Sequence, residues 1–313
     1  MSAPNDCWLP SPDEPLFVLV MDHHASFAKD IFGIAGTPTQ ADLWSMREAK
    51  NLVYEGLRQA AGKAPFGREG VLVDEALGAQ VVSAAKSDGV VVLMPLEMNG
   101  PRVFESAYGH RFAEQVEAFD PDFFKTLVTY NPVDDDGTRG TQITRLAMVS
   151  EWAGRTKRRW IIELLVPPTR GQLASEPGRE SFDRHLRPGL TAQAILQLQA
   201  GGVHPTIWNL EGFDTPTGAD EVVAAAGVER GHPARYMVGG DARGDRAQRW
   251  LTIAAERQFV GFAVGRSTWE QPLRQSLAGT LSNEGVIDAV AGAYIGFVDA
   301  FLHGSGLSRS APR

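Results

Sequence analysis

The sequence has one cysteine, Cys7, so it can form no disulfide within the chain and no thiolate cluster for zinc. It has little lysine: Lys29, Lys50, Lys63, Lys86, Lys125 and Lys157 are all there is, and arginine carries most of the 30 cationic side chains. It has no excess of positive charge. A net charge of −8 argues against an extended nucleic-acid surface. The run Lys157-Arg158-Arg159 is too short to alter that and reads as a solvated helix end. No long apolar run opens the chain. Leu16 to Met21 is too short for a signal-peptide core or a membrane span. No Gly-x-Gly-x-x-Gly turn follows that run, which counts against a doubly wound open sheet. These absences lead to the expectation of a cytoplasmic enzyme-like protein with a small-molecule ligand, without a nucleic-acid or membrane partner. No cofactor and no metal are called for, and homo-oligomer formation is left open.

What is present is an alternation. Hydrophobic residues make up 43% and charged residues 22% of the chain, enough for a sizeable core. Short continuous apolar runs, the mark of strands buried on both faces, alternate with helical patterns. The runs are 16–21, 70–73, 89–94, 124–130, 160–166, 206–211, 235–238 and 261–264. The first long helix is expected from about Thr39, a plausible cap, to Ala61, and the closing helix from Val286 to Leu302. Eight strands with helical segments between them predict a single (β/α)8 barrel over residues 16–303. Residues 1–15 and 304–313 are rich in Pro, Ser, Gly and charge, and are expected to be loosely ordered tails.

The runs end in polar residues: Asp22, Glu75, Glu97, Asn131, Glu211 and Arg266. Lys125, Glu163 and Asn209 lie inside runs. In a barrel, the carboxyl ends of the strands form one rim, and catalytic groups come from it. Burying this many polar groups without use is costly. Lys125 is the only lysine in a predicted strand. Desolvation is expected to lower its pKa, freeing an amine for imine formation or base catalysis. A structural ion pair with Glu163 on the next strand fits equally. Gly239-Gly240 and Gly265-Arg266-Ser267 end the last two runs. Small residues beside a cation at those two ends suit a phosphate, bound by backbone N–H groups and the guanidinium.

Several blocks together resemble a known family. They are Asp22-His23, Val73-Asp74-Glu75, Pro95-Leu96-Glu97, Lys125-x-Leu-Val-x-Tyr-Asn-Pro132, Glu163-Leu-Leu-Val-Pro-Pro168, Arg187-Pro188, Ile207-Trp208-x-x-Glu211-Gly212 and Gly261-Phe-Ala-Val-Gly-Arg-Ser267. They are similar to the class I aldolase-like barrel fused to bacterial 5-dehydro-2-deoxygluconokinases of inositol catabolism, which also occurs free-standing. They are similar, more distantly, to tagatose-bisphosphate aldolase. The resemblance implies retro-aldol cleavage of a ketose phosphate or deoxy-keto-sugar acid phosphate through a lysine imine. It implies an imine-forming lysine on strand six, assisted by a lysine on strand four and a glutamate on strand five. Lys125 and Glu163 match the two assistants, whereas Asn209 stands where relatives carry the imine lysine. An amide cannot form an imine and can only hydrogen-bond. His24 also stands where an arginine often follows Asp-His.

The catalytic set expected from this reading is Lys125, Glu163, Asn209, Asp22 and Glu211. His23, Glu75, Glu97 and Asn131 are expected to bind substrate, and Gly239, Gly240, Gly265, Arg266 and Ser267 phosphate. Four activities stay open: an aldolase with Lys125 as nucleophile, a sugar-phosphate isomerase or epimerase without an imine, a silent sugar-phosphate-binding barrel, and a metal enzyme using His23, His24, Glu75 and Glu97. Adjacent histidines on a strand point to opposite faces, which counts against the last.

Overall fold

The computed structural model describes residues 8–22, 25–63, 66–98, 100–240 and 244–307. Eight parallel strands close a barrel: β1 (Leu16–Val20), β2 (Arg68–Leu72), β3 (Val91–Pro95), β4 (Phe123–Thr129), β5 (Trp160–Leu165), β6 (Ile207–Glu211), β7 (Tyr236–Gly239) and β8 (Gly261–Val264). Each strand pairs with its sequence neighbours, and β8 closes onto β1. The predicted (β/α)8 architecture is the observed one.

The period-2 pattern of each strand divides the core in two. Leu16, Val18, Leu72, Leu93, Phe123, Ile161, Ile207 and Met237 fill the barrel interior. Phe17, Leu19, Val92, Phe124, Trp160, Ile162, Trp208 and Phe262 face outward into the helical layer. Lys125, Glu163 and Asn209 share the inward phase of Phe123, Ile161 and Ile207. Glycine is required where β8 enters the barrel. Gly261 has φ +141°, and a Cβ there would meet the carbonyl oxygen of Leu16 at 1.9 Å.

The helices are α1 (Ala25–Phe32), α2 (Gln40–Ala60), α3 (Glu75–Asp88), α4 (Phe112–Phe119), α5 (Asp136–Thr156), α6 (Arg170–Ala174), α7 (Arg179–His185), α8 (Arg187–Ala200), α9 (Pro216–Ala226), α10 (Gly244–Glu256), α11 (Arg266–Leu277) and α12 (Asn283–Gly304). Thr39 caps α2, forming a capping box with Asp42. Asp74 and Asp135 cap α3 and α5 by accepting from the N–H three residues on. α12 is long and apolar enough to cross a membrane by length and composition. It packs against α2, α10 and α11, burying Val286, Val290, Tyr294 and Val298, and the Tyr294 hydroxyl donates to the Phe17 carbonyl at 2.8 Å.

Two readings of the tails change. Trp8 stacks against the guanidinium of Arg68 at 4.4 Å, and both Trp8 and Leu9 pack under the barrel interior, so the ordered chain begins before residue 16. At the other end, α12 runs to Gly304 and Leu307 packs on the core. Residues 1–7 and 308–313 lie outside the described residues. A short antiparallel hairpin, Val228–Glu229 with His232–Pro233, is inserted before β7.

Candidate active site at the carboxyl ends of the strands

A cavity of about 370 Å³ opens at the carboxyl ends of the strands. Its polar lining is Asp22, Ser26, Glu97, Lys125, Glu163 and Glu211, with the backbones of Gly240 and Gly265. Five elements thus deliver charge to one space, because each strand ends on the same rim.

Lys125, on β4, is the centre. It is buried, and its Nζ lies 2.6 Å from Glu97 Oε1, 2.8 Å from Asp22 Oδ2 and 3.1 Å from Glu163 Oε2. Glu163 reaches it from the adjacent strand, as their shared inward phase requires. The expected fall in the pKa of this lysine is not what the site produces. Burial alone would push the amine down, but Asp22, Glu97 and Glu163 outweigh it and hold the amine well above its ordinary value. Lys125 is an ammonium in this arrangement. Glu97 moves upward for the opposite reason: burial disfavours its charge, Lys125 opposes this only in part, and Asp22 adds repulsion. Its Oε2 is buried without a hydrogen-bond partner among the described residues. The set therefore combines a fixed cation with a carboxyl able to hold a proton. Glu163, whose side chain is 25% exposed, is the most open of the three carboxylates around the ammonium.

Asn209 sits in register beside Glu163 on β6. It is buried and does not line the cavity; its amide lies across Gly239. A Cβ on Gly239 would meet Asn209 Oδ1 at 2.8 Å and Nδ2 at 2.9 Å. The Asn209 Oδ1 is a buried acceptor without a donor among the described residues. Glu211, two residues on, does line the cavity. Its Oε2 accepts from the Val166 N–H at 3.0 Å, and Arg179 stands 3.7 Å from its Oε1.

The remaining sequence expectations divide. Gly240 and Gly265 line the cavity, and Gly239 lies behind Asn209. Gly265 is the N-cap of α11 and supplies no side-chain cap to the first N–H groups of that helix, at Arg266 and Ser267. The Arg266 side chain is drawn to Asp30 on α1, 3.1 Å away, and does not line the cavity. Glu75 opens α3, exposed, and binds Gln115; it too stands outside the cavity. Asn131 is buried below the rim, donating to the Pro167 carbonyl at 2.9 Å and Gln172 Oε1 at 2.7 Å, a brace to the loop after β5 and to α6. His23 and His24 lie outside the described residues. Among the described residues no group of His, Cys, Asp and Glu is arranged to hold a metal.

Sequence reasoning missed Ser26, which enters the cavity from α1, and quoted Arg187 only within the Arg187-Pro188 block, without the ion network that it forms behind β6. There Arg187, buried, donates to the Gly212 carbonyl at 2.6 Å and to Asp183 at 3.2 Å. Arg246 joins Asp183 at 3.1 Å and Asp214 at 2.7 Å. An arginine at the start of an apolar helix was the available signal for Arg187.

These features define a (β/α)8 barrel with a charged cavity at the carboxyl ends of its strands. Solved structures share the fold at low identity. A Corynebacterium glutamicum protein, Cgl0159, is 14% identical with a TM-score of 0.57, covering 92% of this chain and 86% of its own. A Schiff-base-forming fructose-1,6-bisphosphate aldolase and an archaeal fructose 1,6-bisphosphate aldolase are each 14% identical with a TM-score of 0.53, covering 90% of this chain and 94% of theirs. No curated protein matches the sequence. The chain belongs to the family described as an uncharacterized protein conserved in bacteria (DUF2090), whose pattern spans residues 10–304.

Proposed function

We propose that this protein is an aldolase-like enzyme acting on a phosphorylated ketose or deoxy-keto-sugar acid phosphate, through an enolate held by an ammonium ion rather than through an imine. The observation that carries this reading is the contact of Lys125 Nζ with three carboxylates, at 2.6, 2.8 and 3.1 Å. An amine so held is a poor nucleophile and a good electrostatic partner for a developing oxyanion.

In the cleavage direction the substrate carbonyl oxygen faces Lys125. Glu163 takes the proton of the hydroxyl two carbons from the carbonyl carbon. The O–H electron pair forms the new carbonyl, the carbon–carbon bond breaks, and its electrons move to the first carbonyl oxygen as an enolate. Glu163 then returns the proton to the enolate carbon, so charge and atoms balance. Each proton transfer of this kind contributes typically 10²–10⁴-fold in rate. The phosphate takes the N–H groups at Gly240, Gly265, Arg266 and Ser267, with the positive end of α11 behind them. The motif resemblance supports inositol catabolism as the metabolic setting and a kinase product as the substrate.

The test uses ketose phosphates and deoxy-keto-sugar acid phosphates in D2O, followed by NMR, with parallel borohydride trapping. The reading expects two carbonyl products and no trapped adduct. An adduct at Lys125 would move the chemistry back to an imine. Deuterium at the carbon beside the carbonyl without cleavage would make the enzyme an isomerase. Saturable binding without either change would leave a silent binding barrel.

A further inference from the structure

A second and larger cavity, about 990 Å³, opens at the opposite mouth of the barrel, where the strands begin. Its size is at the upper end of ordinary small-molecule sites. Its wall carries Lys157, Arg158, Arg159, Arg230, Arg235 and Arg257. The whole chain has a net charge of −8, yet the only carboxylate on this wall, among the described residues, is Glu229. Glu229 is already engaged by His204, by Gln199 at 2.9 Å and by Trp208 Nε1 at 3.2 Å. Three of the cations also have partners: Arg158 meets Asp120 at 2.6 Å, Arg257 meets Asp220 at 3.0 Å, and Arg159 is engaged as well. Lys157, Arg230 and Arg235 have no ion-pair partner among the described residues.

Two of these cations stand at left-handed backbone positions. Lys157 ends α5 with φ 58°, and Arg230 turns the inserted hairpin with φ 48°. Non-glycine residues are uncommon in that left-handed region. The hairpin takes no part in closing the barrel. The three bonds to Glu229 fasten it over the cavity, and Arg230 is its tip. Like charges gathered around one space repel unless an anion joins them. Arginine forks suit the paired oxygens of phosphate, and several forks around one cavity suit several phosphates.

We propose that this floor cavity binds a compact polyanion, a chain of phosphates either free or carried on a nucleotide, at a site separate from the catalytic rim. The full chain would be titrated at low salt with orthophosphate, tripolyphosphate and ATP, by calorimetry and by tryptophan fluorescence, since Trp160 lines the cavity. The expected result is one saturable site for tripolyphosphate, far tighter than for orthophosphate and weakened by added salt. Arg230→Ala and Arg235→Ala should each weaken it about tenfold or more, the usual scale for a lost hydrogen bond to a charged group. Neither guanidinium has an ion-pair partner to lose, so thermal unfolding of both variants should match the wild type. Arg266→Ala, at the other mouth, should leave the affinity of this floor site unchanged, whatever it does to sugar phosphates at the rim. Equal binding of ATP and tripolyphosphate assigns the site to the phosphate chain; tighter ATP binding assigns it to a nucleotide. The proposal is overturned if tripolyphosphate shows no saturable binding at millimolar concentration, or if binding ignores both floor substitutions and is lost in Arg266→Ala.

Discussion

Lys125 and Glu97 meet at 2.6 Å inside the barrel, and the other oxygen of Glu97 is buried without a partner. The pair is unequal. The lysine is held above its ordinary pKa by carboxylates on three sides, while the glutamate is pushed above its own by burial. The ammonium is thus what permits Asp22, Glu97 and Glu163 to share so small a space.

Lys125→Met should therefore destabilise the fold by about 3–5 kcal/mol at pH 7, the usual result of removing one side of a buried ion cluster. Glu97, already pushed up by burial, would lose the cation that opposes that push. The folded variant would bind more protons than the unfolded chain, so its deficit should shrink as pH falls toward the carboxylate range, about pH 4. In the wild type the sign for Lys125 follows from its raised value. Its stabilising contribution is complete below about pH 10.4 and is lost as pH rises through the higher folded pKa. Urea unfolding of both proteins at a series of pH values checks this; a variant deficit that does not change with pH would refute it.

Gly239→Ala tests the contact between β7 and β6. The new Cβ would lie 2.8 Å from Asn209 Oδ1, so the amide must move within a packed interior. The cost should be about 1–3 kcal/mol. Asn209→Ser in the same chain should recover much of it, since the shorter side chain clears Gly239. A double-mutant cycle by thermal or urea unfolding measures the coupling. Additive effects would mean that the two residues do not press on each other.

How far these relationships were readable in the sequence depends on how local their causes are. The strands were legible because a barrel strand is buried on both faces and so appears as an unbroken apolar run, as in 124–130. The α2 cap was legible because Thr39 and Asp42 act across one turn. The inward phase of Lys125 and Glu163 followed from alternation within β4 and β5. The ammonium trap was not legible, because Asp22 and Glu97 come from other strand ends and converge only when the barrel closes. Asn131 looked like a rim residue since it follows a strand, but its amide is consumed by Pro167 on the next loop and Gln172 on α6. Lys157-Arg158-Arg159 is the solvated helix end that it reads as, with Lys157 exposed at the C-cap of α5, but the hairpin that shares its cavity lies some seventy residues further along the chain.

Arg266→Ala should weaken binding of phosphorylated ligands by about 1.5–3 kcal/mol, the scale of a hydrogen bond to a charged group, provided that the guanidinium leaves Asp30 for the phosphate. Unphosphorylated analogues should bind the variant and the wild type alike. Calorimetry with each ligand of a matched pair decides it. Equal losses for both members would place the effect in the Asp30 contact and the packing of α1 rather than in phosphate recognition.

Asn209→Lys asks whether the site retains the geometry for imine chemistry. Position 209 is beside Glu163 in register and faces the barrel interior, but its amide stops short of the cavity. A lysine side chain is longer and would extend toward Glu211 and the rim. There it would stand near the Lys125 ammonium, whose charge disfavours a second cation and lowers the new amine's pKa. The carboxylates around Lys125 would act in the opposite direction, so the free-amine fraction should rise with pH up to the amine's own pKa. Given a carbonyl ligand, the variant should be trapped by borohydride at residue 209, with trapping that increases with pH, while the wild type gives no adduct. Peptide mapping by mass spectrometry locates the adduct. Cleavage of a ketose phosphate should rise in parallel if Lys125 and Glu163 supply the remaining catalytic groups. Trapping at Lys125 in the wild type would instead show that substrate displaces the carboxylates from the ammonium, and the substitution would then be expected to lower activity.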